Sequence, residues 1–138
     1  MDREVIEQKL ESLRHCLQRV ADKCPPSPAT LGRDPDLQDI VALNLTRAVQ
    51  LCVDIGAHLI AGMEVSPPNT MGQTFDVLAK AGVIDEGLAG QLKKAVGFRN
   101  IAVHNYEEID WEIVHNIARH RLSDFAEFAK AVATRLAG

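Results

Sequence analysis

No stretch of this chain alternates apolar and polar residues with the period of two that a half-buried strand requires, and no internal repeat or low-complexity tract is visible. Sheet and solenoid architectures are thereby excluded. The three cysteines, Cys16, Cys24 and Cys52, are an odd number with no CxxC pair, which supplies neither a disulfide framework nor a zinc ligand set. Two of them fall in helical patterns that would bury them, so reduced thiols in or near the core are expected, with no metal and no cofactor. No apolar run approaches the roughly 18 residues needed to cross a bilayer, and Met1-Asp2-Arg3-Glu4 opens a polar, mixed-charge segment without a secretory hydrophobic region. A cytoplasmic protein with no membrane partner is expected. An excess of positive charge is also missing: 15 Lys and Arg against 19 Asp and Glu give a net charge of -4, with a pI near 5.7. That excludes a broad basic face that coats nucleic acid non-specifically, so an RNA substrate would have to be met by a local basic patch or with help from symmetry.

What is present fits one helical domain over residues 1–138: 46% hydrophobic and 25% charged residues are normal for a globular chain, and the length is enough to bury a core. Ile6, Leu10, Leu13, Leu17 and Val20 recur at steps of four and three, predicting an amphipathic helix from Arg3 to Lys23 with Asp2 as its N-cap. Cys24-Pro25-Pro26-Ser27-Pro28 stops it, and an extended, exposed loop is expected through Pro35. From Asp36 to about Met63 the apolar residues cover nearly the whole circumference, which marks a central buried helix. Its exceptions, Asn44, Arg47, Asp54 and His58, form one polar stripe at spacings of three, seven and four. Buried polar groups need partners, so the stripe is either a structural network or the lining of a cleft or subunit interface beside the active site, with Asp54 or His58 orienting catalytic groups.

Thr74 to Ala81 reads as a short helix closed by Gly82, and Asp85 caps a further helix through Leu88, Leu92, Ala95, Val96 and Phe98. A last helix runs from near Asp110 to the end, with Val114, Ile117, Ala118, Leu122, Phe125, Ala129, Val132 and Leu136 in the same three-four rhythm. The fold class expected is all-α: an antiparallel bundle of four long helices plus one short helix.

The chemistry concentrates in Arg99-Asn100-Ile101-Ala102-Val103-His104-Asn105-Tyr106, which places a permanent cation, an amide, an imidazole and a phenol within eight residues. A guanidinium matches phosphate oxygens with a planar fork, and a histidine moves protons near neutral pH. Arg99 and His104 therefore suffice in principle for phosphodiester cleavage, His104 as base or acid and Arg99 on the phosphate, with Asn100 and Tyr106 orienting them. Asn100 and His104 share a face of a regular helix, whereas Arg99 and His104 are about 140 degrees apart and Tyr106 lies beyond. Asn105, which tolerates left-handed backbone, is a reasonable helix end. One histidine does not easily serve as base and acid in one step, so two copies of the stretch across a homodimer cleft are expected. The structural alternative is a helix end at which Arg99 pairs with an acidic residue and His104 complements the dipole. His15, His115 and His120 lack metal-ligand spacing and are expected in solvated or capping roles.

The stretch resembles the Arg-x4-His-x-Tyr motif of the HepT-like ribonuclease toxins of the HEPN superfamily: Arg99, His104 and Tyr106 match it, with Asn100 after the arginine. Gly97-Phe98-Arg99-Asn100 ahead of Val103-His104, the segment Asp54 to Ile60 and the Pro67-Pro68 loop before a short helix are similar to the same family. The resemblance implies a helical homodimer with both motif copies lining an interfacial cleft, and metal-independent cleavage of an RNA substrate leaving a 2',3'-cyclic phosphate. It also implies an MntA-like minimal nucleotidyltransferase antitoxin that transfers AMP from ATP to Tyr106. The alternative is a non-catalytic helical partner or substrate of such a nucleotidyltransferase.

Overall fold

The structure, a computed structural model, describes residues 2–138; Met1, where the polar opening segment begins, lies outside the described residues. Seven α-helices and one 3-10 turn follow one another, with no strand among the described residues. They are α1 (Arg3–Lys23), α2 (Pro28–Arg33), α3 (Pro35–Ala61), α4 (Met71–Lys80), α5 (Glu86–His104), the 3-10 turn Tyr106–Glu108, α6 (Trp111–His120) and α7 (Leu122–Ala137). Three of the four long helices expected are there as α1, α3 and α5, and the fourth is divided into α6 and α7.

Local chemistry starts most of them. Asp2, Ser27, Asp34, Thr70, Asp85 and Asp110 each accept a backbone N–H of the first turn, satisfying donors that have no partner inside the helix. α4 begins earlier than the apolar pattern suggests, because Thr70 caps it while the Gln73 side chain returns to the Asn69 amide. It ends at Gly82, whose φ of +77° is the one positive value among the described residues. There Val83 N–H reaches the Leu78 carbonyl and Gly82 N–H that of Ala79, satisfying the last turn.

Two expectations about the course of the chain need correction. The segment after Pro25 is not an extended exposed loop: α2 forms there, since Pro28 sits in the first turn where no amide is needed, and Leu31 is fully buried. The last helix is two, broken at Arg121, whose φ and ψ of -121° and 7° leave the helix while its carbonyl accepts from Asp124 N–H. The Arg121 guanidinium pairs with Asp124 at 3.2 Å across the corner, and a one-residue bend leaves the apolar rhythm almost unchanged. α3 is also long and apolar enough, by length and composition alone, to cross a membrane, although more than half of that stretch is buried inside the bundle.

α3 is the central element, packed by α1 along one side and by α4 and α5 on others. Ile6, Leu13 and Val20 of α1 are fully buried, as are Val41, Leu45 and Ile55 of α3. Phe75 meets Phe128 edge-on, with ring centroids 5.9 Å apart, tying α4 to α7. Gly56 lets α3 and α4 approach: a Cβ there would lie 2.6 Å from Thr74 Cγ2. His115, expected in a solvated or capping role, is buried instead, its Nε2–H donating to the Pro25 carbonyl at 2.8 Å. The proline turn supplies an acceptor that no spacing in the sequence announces.

Candidate active site

α5 delivers Arg99, Asn100 and His104 in its last two turns and stops at Asn105. Asn105 ends the helix as expected but not in the left-handed region: its φ of -154° and ψ of 59° leave the helix on the negative-φ side, and its carbonyl accepts from Glu108 N–H to open the 3-10 turn that Tyr106 begins. That bend lets Tyr106 leave the helical face of His104.

The Arg99 guanidinium is half-buried. Its Nη1 donates to Asn100 Oδ1 at 3.1 Å, while its Nε lies buried with no hydrogen-bond partner. The carboxylate partner that the structural alternative assigned to Arg99 is not there among the described residues. His104 is exposed at the helix end, and Ile101 and Val103 beside it leave 45% and 49% of their surface to solvent. The end of α5 thus carries a half-buried cation and an exposed imidazole, with apolar side chains open to solvent beside them.

Tyr106 is fixed by two contacts. Its hydroxyl donates to Asp39 Oδ1 on α3 at 2.7 Å, and its ring meets Trp111 of α6 edge-on at 5.9 Å between centroids. Removal from water, and then the hydrogen bond and charge of Asp39, push the phenol pKa well above its ordinary value. Asp39 is a residue that sequence reasoning missed. It lies 67 positions from Tyr106, and nothing local distinguishes it from other exposed acids.

The polar stripe of α3 is not one surface. Asn44 is buried, and its amide donates to the Ile40 carbonyl at 2.8 Å. Arg47 and Asp54 face α1 and line a groove of about 620 Å³ with Glu11, His15 and Gln50. Asp54 accepts from Gln50 at 2.9 Å and lies 3.8 Å from the Lys9 ammonium. His58 is half-buried one turn beyond. At a rise of 1.5 Å per residue, Asp54 and His58 stand about 22 and 28 Å along α3 from Asp39, so within one chain they do not join Tyr106. Any part they take in orienting the catalytic groups would therefore run through a second copy. A second groove, of about 670 Å³, opens beside the site between α5, α6 and α7, with Lys94, Phe98, Ile101, Ile113 and His120 on its walls.

An all-helical bundle that presents an arginine and a histidine near one helix terminus, with a hydrogen-bonded tyrosine just past it, belongs to the class of helical proteins whose exposed side chains are suited to holding a phosphate and moving a proton. The ribonuclease HepT-like family model matches residues 6–132, and the chain belongs to that family. It is 33% identical over 129 residues to the mRNA nuclease HepT of Shewanella oneidensis, covering 94% of this chain and 96% of that one. A toxin-antitoxin crystal structure with AMP-PNP superposes with a TM-score of 0.90 at 32% identity, covering 96% of this chain and 99% of the other. The tri-AMPylated Shewanella oneidensis HEPN toxin in complex with MNT antitoxin gives 0.88 at 33% identity, covering 97% and 99%. The Bacillus subtilis protein YutE, at 19% identity and a TM-score of 0.85, shares the fold.

Proposed function

We propose that this protein is an endoribonuclease toxin of a toxin-antitoxin pair, acting as one helical domain that pairs with a second copy, and is neutralised by AMP transfer to Tyr106 from an MntA-like nucleotidyltransferase. The observation that carries the reading is the Arg99 guanidinium, steered by Asn100 and with its Nε unpartnered, five residues before an exposed His104 in a chain of the HepT-like family. Arg99 holds the scissile phosphate and stabilises the charge that builds on it. His104 takes the proton from the ribose 2'-hydroxyl, whose oxygen attacks phosphorus, and the 5'-oxygen leaves to give a 2',3'-cyclic phosphate. His104 of the second copy protonates that leaving oxygen, and the exposed Leu43, Ile101 and Val103 supply apolar surface for the pairing. No metal or cofactor enters these steps, and the reading places the protein in the cytoplasm with its RNA.

The AMP acceptor role rests on Tyr106 being at once exposed and beside Arg99 and His104 in sequence, and on the AMPylated state of the Shewanella oneidensis toxin. A phosphodiester added at this place would occupy the arginine and repel an RNA phosphate. The test is cleavage of total RNA by the purified protein in the presence of EDTA. His104→Ala is expected to abolish cleavage while the helical circular dichroism is retained. Cleavage that persists in His104→Ala from a nuclease-free preparation would sink the assignment.

A further inference from the structure

Tyr106 differs from the rest of the motif in what it touches. A phenol is a weak nucleophile while it keeps its proton, and an adjacent acceptor is the usual means of activating such a group. Here the acceptor is already in place: Asp39 Oδ1 accepts a hydrogen bond from the Tyr106 hydroxyl at 2.7 Å. The carboxylate belongs to α3, the 27-residue central helix, and not to the short turn that carries the tyrosine. It is therefore held by the core, and it fixes where the hydroxyl points. Trp111 supports the ring from α6, while 38% of the tyrosine surface stays open to an incoming reactant.

We propose that Asp39 is the positioning residue and proton acceptor for nucleotidyl transfer to Tyr106, and that the transfer itself breaks the contact between them. This rests on the reading of Tyr106 as the AMP acceptor. Tyr106 Oη attacks the α-phosphorus of a nucleoside triphosphate held by the partner enzyme. The Oη–P bond forms, the bond from that phosphorus to the β-bridging oxygen breaks, and pyrophosphate leaves with the bonding pair. The phenol proton passes to Asp39 and from there to water. The product oxygen has no proton left to donate, and it carries a phosphodiester anion that a carboxylate repels. The modified side chain is driven off α3, and Arg99, on the same stretch, is the permanent cation that can receive it.

The chain has one tyrosine and one tryptophan, and they touch, so optical signals can be assigned to residues. The full-length protein is incubated with its cognate nucleotidyltransferase and ATP labelled at the α-phosphate. Asp39→Asn is expected to slow labelling about a hundredfold, the size of a general-base contribution, and to bring the ultraviolet phenolate titration back toward that of free tyrosine. Asp39→Glu, which keeps the carboxylate on one more methylene, is expected to recover much of the rate. Trp111 emission is expected to change when the natural chain is labelled, as the ring it touches moves away. Labelling of Asp39→Asn at the natural rate would overturn the proposal, as would equal losses in both variants with an unmoved titration, or Trp111 emission that ignores labelling. Failure to label the natural chain, or label that persists in Tyr106→Phe, would instead overturn the acceptor reading beneath it, in samples where Asp39 is intact.

Discussion

The Tyr106 hydroxyl and the Asp39 carboxylate, 67 residues apart in the chain, meet at 2.7 Å and tie the end of α5 to the start of α3. The contact joins the stretch proposed to carry the chemistry to the helix that organises the core.

It also makes stability depend on alkaline pH. The folded phenol holds its proton more tightly than the unfolded one, which titrates near its ordinary value of about 10. Below that value both states are protonated and the contribution is fully present; as pH rises through the raised folded value it is lost, because the unfolded chain releases its proton first. Denaturant unfolding between neutral and strongly alkaline pH is expected to show this fall, and Tyr106→Phe is expected to flatten it. A Tyr106 titration at the free-tyrosine value would contradict the expectation.

Arg99 is expected to be intolerant of lysine. Lysine keeps the charge but loses the planar fork and the Nη1 donor that Asn100 steers. Single-turnover RNA cleavage by Arg99→Lys is expected to fall about a hundredfold, in the range for a lost donor to transition-state charge. A rate equal to that of the natural chain would show that only net charge matters there.

Asp54 and His58 are expected to be dispensable for cleavage. They stand several turns along α3 from Asp39, and Asp54 is occupied by Gln50 and Lys9. Asp54→Asn and His58→Gln are expected to cut RNA near the natural rate. A large loss in either, with the fold intact, would mean that the second copy brings this part of α3 to the site.

Gly56→Ala is expected to cost about 1 to 3 kcal/mol by overpacking, because the new methyl meets Thr74 Cγ2 at 2.6 Å and Leu78 Cδ1 at 3.1 Å. Thr74→Ser removes the closest atom, so the double variant is expected to recover part of the loss in a thermal or denaturant melt. Strictly additive losses would show that the helices separate instead.

His115→Ala is expected to destabilise the fold by about 1 to 3 kcal/mol, the cost of leaving a buried acceptor without its donor. The acceptor is the Pro25 carbonyl, for which only the weak Cys24 thiol remains at 3.7 Å. Equilibrium unfolding measures it; an unchanged midpoint would mean that water enters and replaces the imidazole.

Much of this molecule was legible because helices are specified by neighbours. The spacing from Ile6 to Val20, the caps Asp2 and Asp85, and the stop at Gly82 act within a few residues of one another, and all stand where the pattern put them. The motif was legible for the same reason: Arg99, Asn100 and His104 share two turns of one helix. α2 was missed because three prolines conceal an N-cap and a first turn, and the α6–α7 corner because one non-helical residue does not interrupt an apolar rhythm.

By itself, then, the sequence determined an all-helical bundle, most of its long helices and the stretch in which the candidate catalytic side chains lie, since those depend on short-range periodicity and on the side chains present. Only the tertiary structure decided that Asp39 meets Tyr106, that Arg99 keeps an unpartnered buried Nε, that His115 closes on Pro25, and that Asp54 faces α1. Each depends on which helices come into contact and at what height along their axes. That register is set by the packing of side chains from distant parts of the chain, of which a local pattern carries no trace.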